Sequence, residues 1–360
     1  MTWIKKQFQN LVLILILTIA LLELIGFFVF DDRYTWAQRY LSLSSRAVVN
    51  EEIYLNGKSI KFWKYRPSSE VRSIAVYTDF LGATIEYDCR FKTNRFGFID
   101  TGVRGGKADF LVLGDSFTEG QGGCPWLTKS TLQSDDELKV LNILNGGLQG
   151  AGIQAFEKIL KYHEEYFDIK NLIVIAISND FKRGDVSVVP TETPCYLYLE
   201  CPDQLIHYVS FDTSDENLKL ASKKRREARI RTDVVEEAFR YSFTYYIYER
   251  LESIVNPGSK KTESLEVYQD NFSSLQRIRS KYPSMKLILV PQRDEVGLFG
   301  RENFDTRTVK SYLRRNGIPF LFCELGGSDY MPKDGHPNKM GYDKIFSCLK
   351  QIIITNNMNH

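Results

Sequence analysis

Four short stretches carry side chains that together could open an ester. Gly114-Asp115-Ser116-Phe117-Thr118-Glu119-Gly120 follows a short apolar run. Gly114 permits a tight exit from that run, so Ser116 stands near the start of the next helix, where backbone amides can hold an oxyanion. Asn145-Gly146-Gly147-Leu148-Gln149-Gly150-Ala151-Gly152 follows a second run, and so many glycines there suggest backbone packed against a ligand. Ser178-Asn179-Asp180 ends a third, where the Asn179 carboxamide is placed to donate to an oxyanion. Asp334-Gly335-His336-Pro337-Asn338 precedes the last helical pattern. A histidine that deprotonates a serine needs an acid to fix its tautomer and stabilise the imidazolium, and Asp334 is two residues from His336. His163, His207 and His360 have no such setting and read as surface groups. Taken singly, each stretch is also ordinary turn chemistry. No Gly-Lys-Ser/Thr follows Gly114, and Gly-x-Ser-x-Gly is absent, which disfavours a Walker loop and an α/β-hydrolase elbow. Gly146-x-x-x-Gly150-x-Gly152 matches a dinucleotide turn, but it follows the second apolar run rather than the first.

The elements that must position these residues are legible from Asp109 onward. Phe110–Gly114, Leu138–Leu144, Asn171–Ser178, Met285–Pro291 and Ile318–Cys323 are short continuous apolar runs, the pattern of parallel strands buried on both faces. Helical patterns over 153–166, 234–254, 264–279, 306–315 and 339–354 separate most of them. The alternation predicts an α/β fold: a doubly wound, flavodoxin-like three-layer α/β/α sandwich on a mainly parallel five-stranded sheet. Ligands bind beyond the carboxyl ends of such strands, where the four stretches fall. Residues 33–107 read as a connecting or accessory segment with short strands, including a hairpin around Asn56-Gly57. The α/β domain covers 108–360, with an insertion at about 183–233. That insertion holds the basic run Lys223–Arg231, read as a solvated helix face or a contact for an anionic glycan or lipid headgroup.

Residues 1–32 differ from the rest. Leu11 to Phe30 is apolar except for Thr18, Glu23 and Gly26, and twenty helical residues span roughly 30 Å, the thickness of a bilayer core. No small-x-small cleavage site follows, so the segment reads as an uncleaved transmembrane signal anchor. Lys5 and Lys6 before it, with Asp31 and Asp32 after it, predict a cytoplasmic N-terminus and a periplasmic or extracytoplasmic remainder on a single-pass inner-membrane protein. Six cysteines suit that compartment: Cys195 and Cys201 bracket a loop they could staple. Cys89, Cys124, Cys323 and Cys348 lack metal-ligand spacing and read equally as buried thiols or disulfides. The formal net charge of +2 gives no reason to expect a nucleic-acid partner.

In their order Ser, Gly, Asn, Asp/His, the four stretches resemble the SGNH (GDSL-type) serine hydrolase superfamily. The resemblance covers Asp109 to the C-terminus. It implies Ser116 as nucleophile, Gly147 and Asn179 as oxyanion-hole donors with the Ser116 amide, His336 as base and Asp334 as acid. It implies no cofactor and no metal. Thr93-Asn94-Arg95-Phe96-Gly97-Phe98 resembles the Asn-x-x-Gly-Phe segment before the serine block in many membrane-linked members. Two positions depart from the pattern. Ile177 stands where the third block has Gly, and Lys333 stands where the last block has its acid, so the sequence offers Asp-x-His in place of Asp-x-x-His. That spacing is similar to the one in periplasmic polysaccharide O-acetyltransferases of the alginate type. The expected activity is hydrolysis of O-acyl, chiefly O-acetyl, groups on a carbohydrate or polysaccharide. The alternatives are O-acetyl transfer to a cell-surface polysaccharide by the same residues, a lipid-directed esterase, and a catalytically idle scaffold among envelope-assembly partner proteins.

Overall fold

The computed structural model describes residues 2–29, 38–44, 47–55, 57–78, 82–183, 206–224, 226–227, 261–296 and 302–357. Helix α1 (Thr2–Val29) leads. Strands β1 (Gln38–Ser44), β2 (Val48–Leu55), β3 (Lys58–Tyr65), β4 (Glu70–Thr78) and β5 (Ala83–Lys92) follow. The chain then alternates: β6 (Gly106–Gly114), α2 (Ser116–Glu119), α3 (Lys129–Ser134), β7 (Ile143–Gly147), α4 (Ile153–Glu164) and β8 (Phe167–Ala176). Strand β9 (Ile206–Val209) precedes a helical stretch at 215–224. The last elements are α5 (Lys261–Lys281), β10 (Lys286–Leu289), α6 (Arg293–Val296), α7 (Phe304–Arg315), β11 (Phe320–Phe322) and α8 (Lys339–Asn357).

Five strands form a parallel sheet in the order β11-β10-β8-β6-β7, the doubly wound flavodoxin-like order. Alternate side chains of each strand point to opposite faces, and both faces are covered. Leu111, Leu113, Val174, Leu287 and Leu289 pack with Phe156 and Ile159 of α4, Leu275 of α5 and Val309 of α7. Phe110, Val112, Ile173, Ile175 and Ile288 pack with Leu132 of α3 and Ile345, Leu349 and Ile353 of α8. This two-sided burial is why the runs are continuously apolar; each fully buried Leu or Ile contributes about 1.5–3 kcal/mol. The switch point, where β6 lies between β7 and β8, puts the loops after all three strands on one edge of the sheet.

The second strand begins later than the sequence suggests. Residues 138–141 form a turn in which Asp135 Oδ1 accepts the N–H groups of Glu137 and Leu138, and the ladder starts at Ile143. Leu138 is buried as an apolar plug beside α3 and not as a strand residue. The helix expected at 234–254 and the Cys195–Cys201 pair lie outside the described residues, as do His360 and most of the basic run.

Residues 38–92 build more than a connection. β5, β4, β1 and β9 form a second sheet, in which β9 pairs parallel with β1. The insertion therefore returns to the N-terminal segment. β2 and β3 form the expected hairpin, with Leu55 opposite Lys58 and Gly57 at φ +77°. Asn94 Oδ1 accepts the N–H groups of Phe96 and Phe98 and ties the turn before β6. Gly97, at φ +83°, lies so close to β3 that a Cβ would sit 2.2 Å from the Tyr65 carbonyl. Disulfides join Cys89 to Cys124 and Cys323 to Cys348, with Cα separations of 5.4 and 6.0 Å, and no free cysteine remains among the described residues.

Two further expectations need correction or restatement. His163 is not a surface group: it is buried in the last turn of α4 between Phe98 and Phe167, with Nδ1 against the Ile159 carbonyl. Burial pushes its imidazole down to about 4, so it is neutral at ordinary pH. Among the described residues no helix is long and apolar enough to cross a membrane. Most of the described apolar side chains of α1, including Leu11, Leu13, Ile14, Leu17 and Leu24, are exposed.

Candidate active site

The site begins where β6 ends. A Cβ on Gly114 would lie 1.8 Å from Thr118 Oγ1 and 2.6 Å from the Ile175 carbonyl, so only glycine allows the chain to turn there. Asp115 caps α2, its Oδ1 accepting the Phe117 N–H at 2.8 Å. Ser116 is thereby fixed in the first turn of α2, and its own N–H has no protein partner among the described residues.

His336 reaches the serine from the loop before α8. Its Nε2 lies 2.9 Å from Ser116 Oγ, while Nδ1 is bonded to Asp334 Oδ1. The Asp334 side chain is wholly buried and that of His336 is 14% exposed, so the pair is shielded while the ring edge stays reachable. The loop is closed on itself: Met331 N–H donates to the His336 carbonyl at 2.8 Å, and Asn338 N–H donates to the Asp329 carbonyl at 2.8 Å. Gly335, between acid and base, takes φ +79°, which favours glycine. The Phe117 ring packs on the imidazole with centroids 5.4 Å apart.

Asn179 sits in a 3-10 turn, Ser178–Phe181, directly after β8. Its carboxamide is half-buried and has no protein partner among the described residues. Ile177, in the position where the resemblance expects glycine, is buried in the core, and its N–H donates to Asp180 Oδ2 at 3.0 Å. Arg183 then bridges the two turns, with Nη1 2.7 Å from Asp115 Oδ2 and 2.8 Å from Asp180 Oδ1. Burial, followed by the Asp115 charge, raises the Asp180 carboxyl well above the usual range. Burial would lower the Arg183 guanidinium, but the two carboxylates more than offset this and raise it.

Gly147 is placed differently from its expected role. Its N–H donates to Asn145 Oδ1 at 2.8 Å and is not available to an oxyanion. Its missing side chain serves packing, because a Cβ would lie 2.4 Å from the Glu119 nitrogen. The loop continues through a turn closed by Ala151 N–H on the Leu148 carbonyl, with Leu148 N–H anchored on the Gly114 carbonyl. Gly150 occupies the left-handed position of that turn at φ +76°, and its N–H has no protein partner among the described residues.

Glu119, Arg183 and Tyr77 support the site from outside its four stretches or from behind them. Glu119 is fully buried and accepts the Tyr65 hydroxyl at 2.6 Å and the Gln149 N–H at 2.7 Å. Burial raises its carboxyl to about 7. Its presence in Ser116-x-x-Glu119 was a visible signal. Arg183, three residues after Asp180, was a weaker one. Tyr77 donates to Asp334 Oδ2 at 3.0 Å from 257 residues away, and nothing local in the sequence announces it. Among the described residues no cluster of His, Cys, Asp and Glu could hold a metal ion. Chemically, the arrangement is a serine hydroxyl facing an imidazole whose far nitrogen faces a buried carboxylate, beside unengaged N–H donors.

No protein-family model matches the chain, and no curated protein matches it. Among solved structures it is similar to a GDSL-like lipase from Bacteroides thetaiotaomicron, at 14% identity over 69% of this chain and 88% of that one, with a TM-score of 0.32. It is similar to an acetyl xylan esterase from the rumen bacterium Butyrivibrio proteoclasticus, at 12% identity over 89% and 87% of the two chains, with a TM-score of 0.31. A third is a family two carbohydrate esterase from Clostridium thermocellum in complex with cellohexaose, at 11% identity over 90% and 89%, with a TM-score of 0.33. These likenesses are distant, and the functional reading rests on the site itself.

Proposed function

We propose that the chain is a serine esterase of the SGNH type that removes O-acetyl groups from a carbohydrate. The observation that carries this reading is the 2.9 Å approach of His336 Nε2 to Ser116 Oγ, with Asp334 on the other ring nitrogen. His336 takes the hydroxyl proton as Ser116 Oγ attacks the ester carbonyl. The oxyanion is held by the amides of Ser116 and Gly150 and by the Asn179 carboxamide, Gly150 replacing Gly147 because the Gly147 N–H is engaged. Each such donor is worth about 3 kcal/mol of barrier. The imidazolium gives its proton to the departing sugar oxygen, and water then attacks the acyl-serine, losing its proton to His336, to release acetate and restore the serine.

The Asp334-x-His336 spacing favours a second reading, in which a sugar hydroxyl replaces water and the acetyl group is transferred. The two readings share every residue and differ in the acceptor.

The same proposal places the site outside the cytoplasm, tethered by α1. The two disulfides support an oxidising compartment, and among the described residues no protein core covers the exposed apolar side chains of α1.

The test uses the full chain in detergent with p-nitrophenyl acetate, with and without an oligosaccharide acceptor, beside Ser116→Ala. We expect the variant to lose turnover by a factor on the order of 10³ or more, and acetyl transfer to the acceptor would select the second reading. Equal rates for wild type and variant would sink the catalytic account.

A further inference from the structure

The acid of the site is gripped from outside the doubly wound domain. Tyr77 lies on β4, in the N-terminal sheet, and donates to Asp334 Oδ2, while Oδ1 of the same carboxylate faces His336. Both oxygens of this fully buried carboxylate are therefore committed. The neighbouring strand holds the same loop and the loop after the serine. Glu86 Oε1 on β5 accepts the Lys333 N–H at 2.6 Å. Tyr87 Oη accepts from Gln121 Nε2 at 2.7 Å, and Cys89 is bonded to Cys124. Tyr77, Tyr87 and Cys89 form one buried cluster, against which Met331 of the acid–base loop packs.

This grip answers a problem set by the sequence. With one residue between acid and base, and that residue a glycine at φ +79°, Asp334 lies in a turn with no helix to fix its side chain. A carboxylate with one free oxygen could rotate and let the imidazole swing away from Ser116. A tyrosine hydroxyl on a rigid strand removes that freedom.

We propose that Tyr77 is a positioning residue for the Asp334–His336 pair, so that the N-terminal sheet is part of the catalytic apparatus and not a connecting segment. The proposal rests on the esterase reading given above. Tyr77 touches neither substrate nor the reacting atoms; it acts through Asp334.

Among the described residues, the ionisable groups around this pair include Asp115 and Glu119 on the serine turn, Lys333 beside Asp334, Glu86 and Tyr87 on β5, and Tyr342 on α8. Burial raises both Glu86 and Tyr342, which leaves Tyr342 a neutral hydroxyl donating to the Gln121 carbonyl.

The test measures pH profiles of kcat and kcat/KM for acetyl ester hydrolysis by the full chain, for wild type, Tyr77→Phe, Asp334→Asn and the double variant. Tyr282→Phe is the control, since it removes a hydroxyl that likewise donates to a carboxylate, Glu164, at 3.0 Å, but away from the site. In Tyr77→Phe, kcat should fall on the order of tenfold with KM little changed. The acid limb should move to higher pH, because a carboxylate with one donor fewer stabilises the imidazolium more. The double variant should lose no more than Asp334→Asn alone. Tyr282→Phe should keep the wild-type profile. Replacing Tyr77 by 3,5-difluorotyrosine, which keeps the ring and strengthens the donor, should move the acid limb to lower pH; this guards against a variant that fails to fold. An active wild type whose Tyr77→Phe variant keeps its kcat and acid limb overturns the positioning role alone. A wild type with no Ser116-dependent turnover overturns the esterase reading and this inference with it.

Discussion

Glu119 lies behind the serine turn with no solvent around it, and its two oxygens join the β2–β3 hairpin to the turn over 148–151. Its folded-state value of about 7, against 4.5 when free, fixes the sign of a stability effect. A raised carboxyl binds its proton more tightly in the fold, so the fold gains stability below pH 4.5 and loses it as pH rises toward 7. The loss is on the order of 3 kcal/mol, from about 1.4 kcal/mol per unit. Glu119→Gln mimics the protonated form. The unfolding free energy of wild type minus that of Glu119→Gln should therefore fall by that amount between pH 4.5 and 7 in chemical denaturation, and a flat difference would contradict the burial of the charge. Arg183 is a related case, a cation held where it neutralises the Asp115–Asp180 pair and so keeps the serine turn and the Asn179 turn in register. Site residues were legible where their own loop defines them: Ser116, Asn179, Asp334 and His336 each follow a strand or precede a helix in a short polar stretch. The Gly147 amide was not, because the competing acceptor, Asn145 Oδ1, is two residues away and only the folded turn shows that it is used.

Helix α4 shows what an element hides from its sequence. Its last turn reads as charged, yet His163 faces inward among Phe98, Tyr162 and Phe167. The depressed value of about 4 makes its effect opposite to that of Glu119. The neutral ring is what the fold accepts, so the contribution is complete above pH 6.5 and is lost as pH falls toward 4. Wild type minus His163→Leu should gain on the order of 3 kcal/mol of unfolding free energy from pH 4 to 6.5. Between pH 4.5 and 6.5 the Glu119 and His163 slopes oppose each other, so their two contributions nearly cancel there, while each variant removes one of them. A wild-type-like pH dependence in His163→Leu would show that the ring is solvated. The strands were legible for a simple reason: a strand apolar on both faces reads as a continuous run. Residues 138–141 misled because Leu138 is buried for a different purpose, under a turn made by Asp135.

At the scale of the molecule, the doubly wound sheet supplies the serine, the asparagine and the acid–base loop, and the N-terminal hairpin and sheet close around them. Among the described residues, Tyr65 of the hairpin holds Glu119, while the sheet contributes Tyr77 on Asp334, Glu86 on the Lys333 amide, Tyr87 on Gln121, and the Cys89–Cys124 disulfide. None is legible locally, since each joins residues far apart in sequence through side chains whose types are ordinary in strands. Strand β9 adds the insertion to the same sheet, which no periodicity announced. On the proposed function, this whole arrangement serves one activated hydroxyl. The most direct measurement is reaction of the full chain with a fluorophosphonate ester, followed by peptide mapping by mass spectrometry. Ser116 Oγ displaces fluoride at phosphorus and its proton passes to His336, so one adduct is predicted, on Ser116, with its formation suppressed in His336→Ala. A label carried elsewhere, or one on Ser116 that forms as fast without His336, would contradict the account.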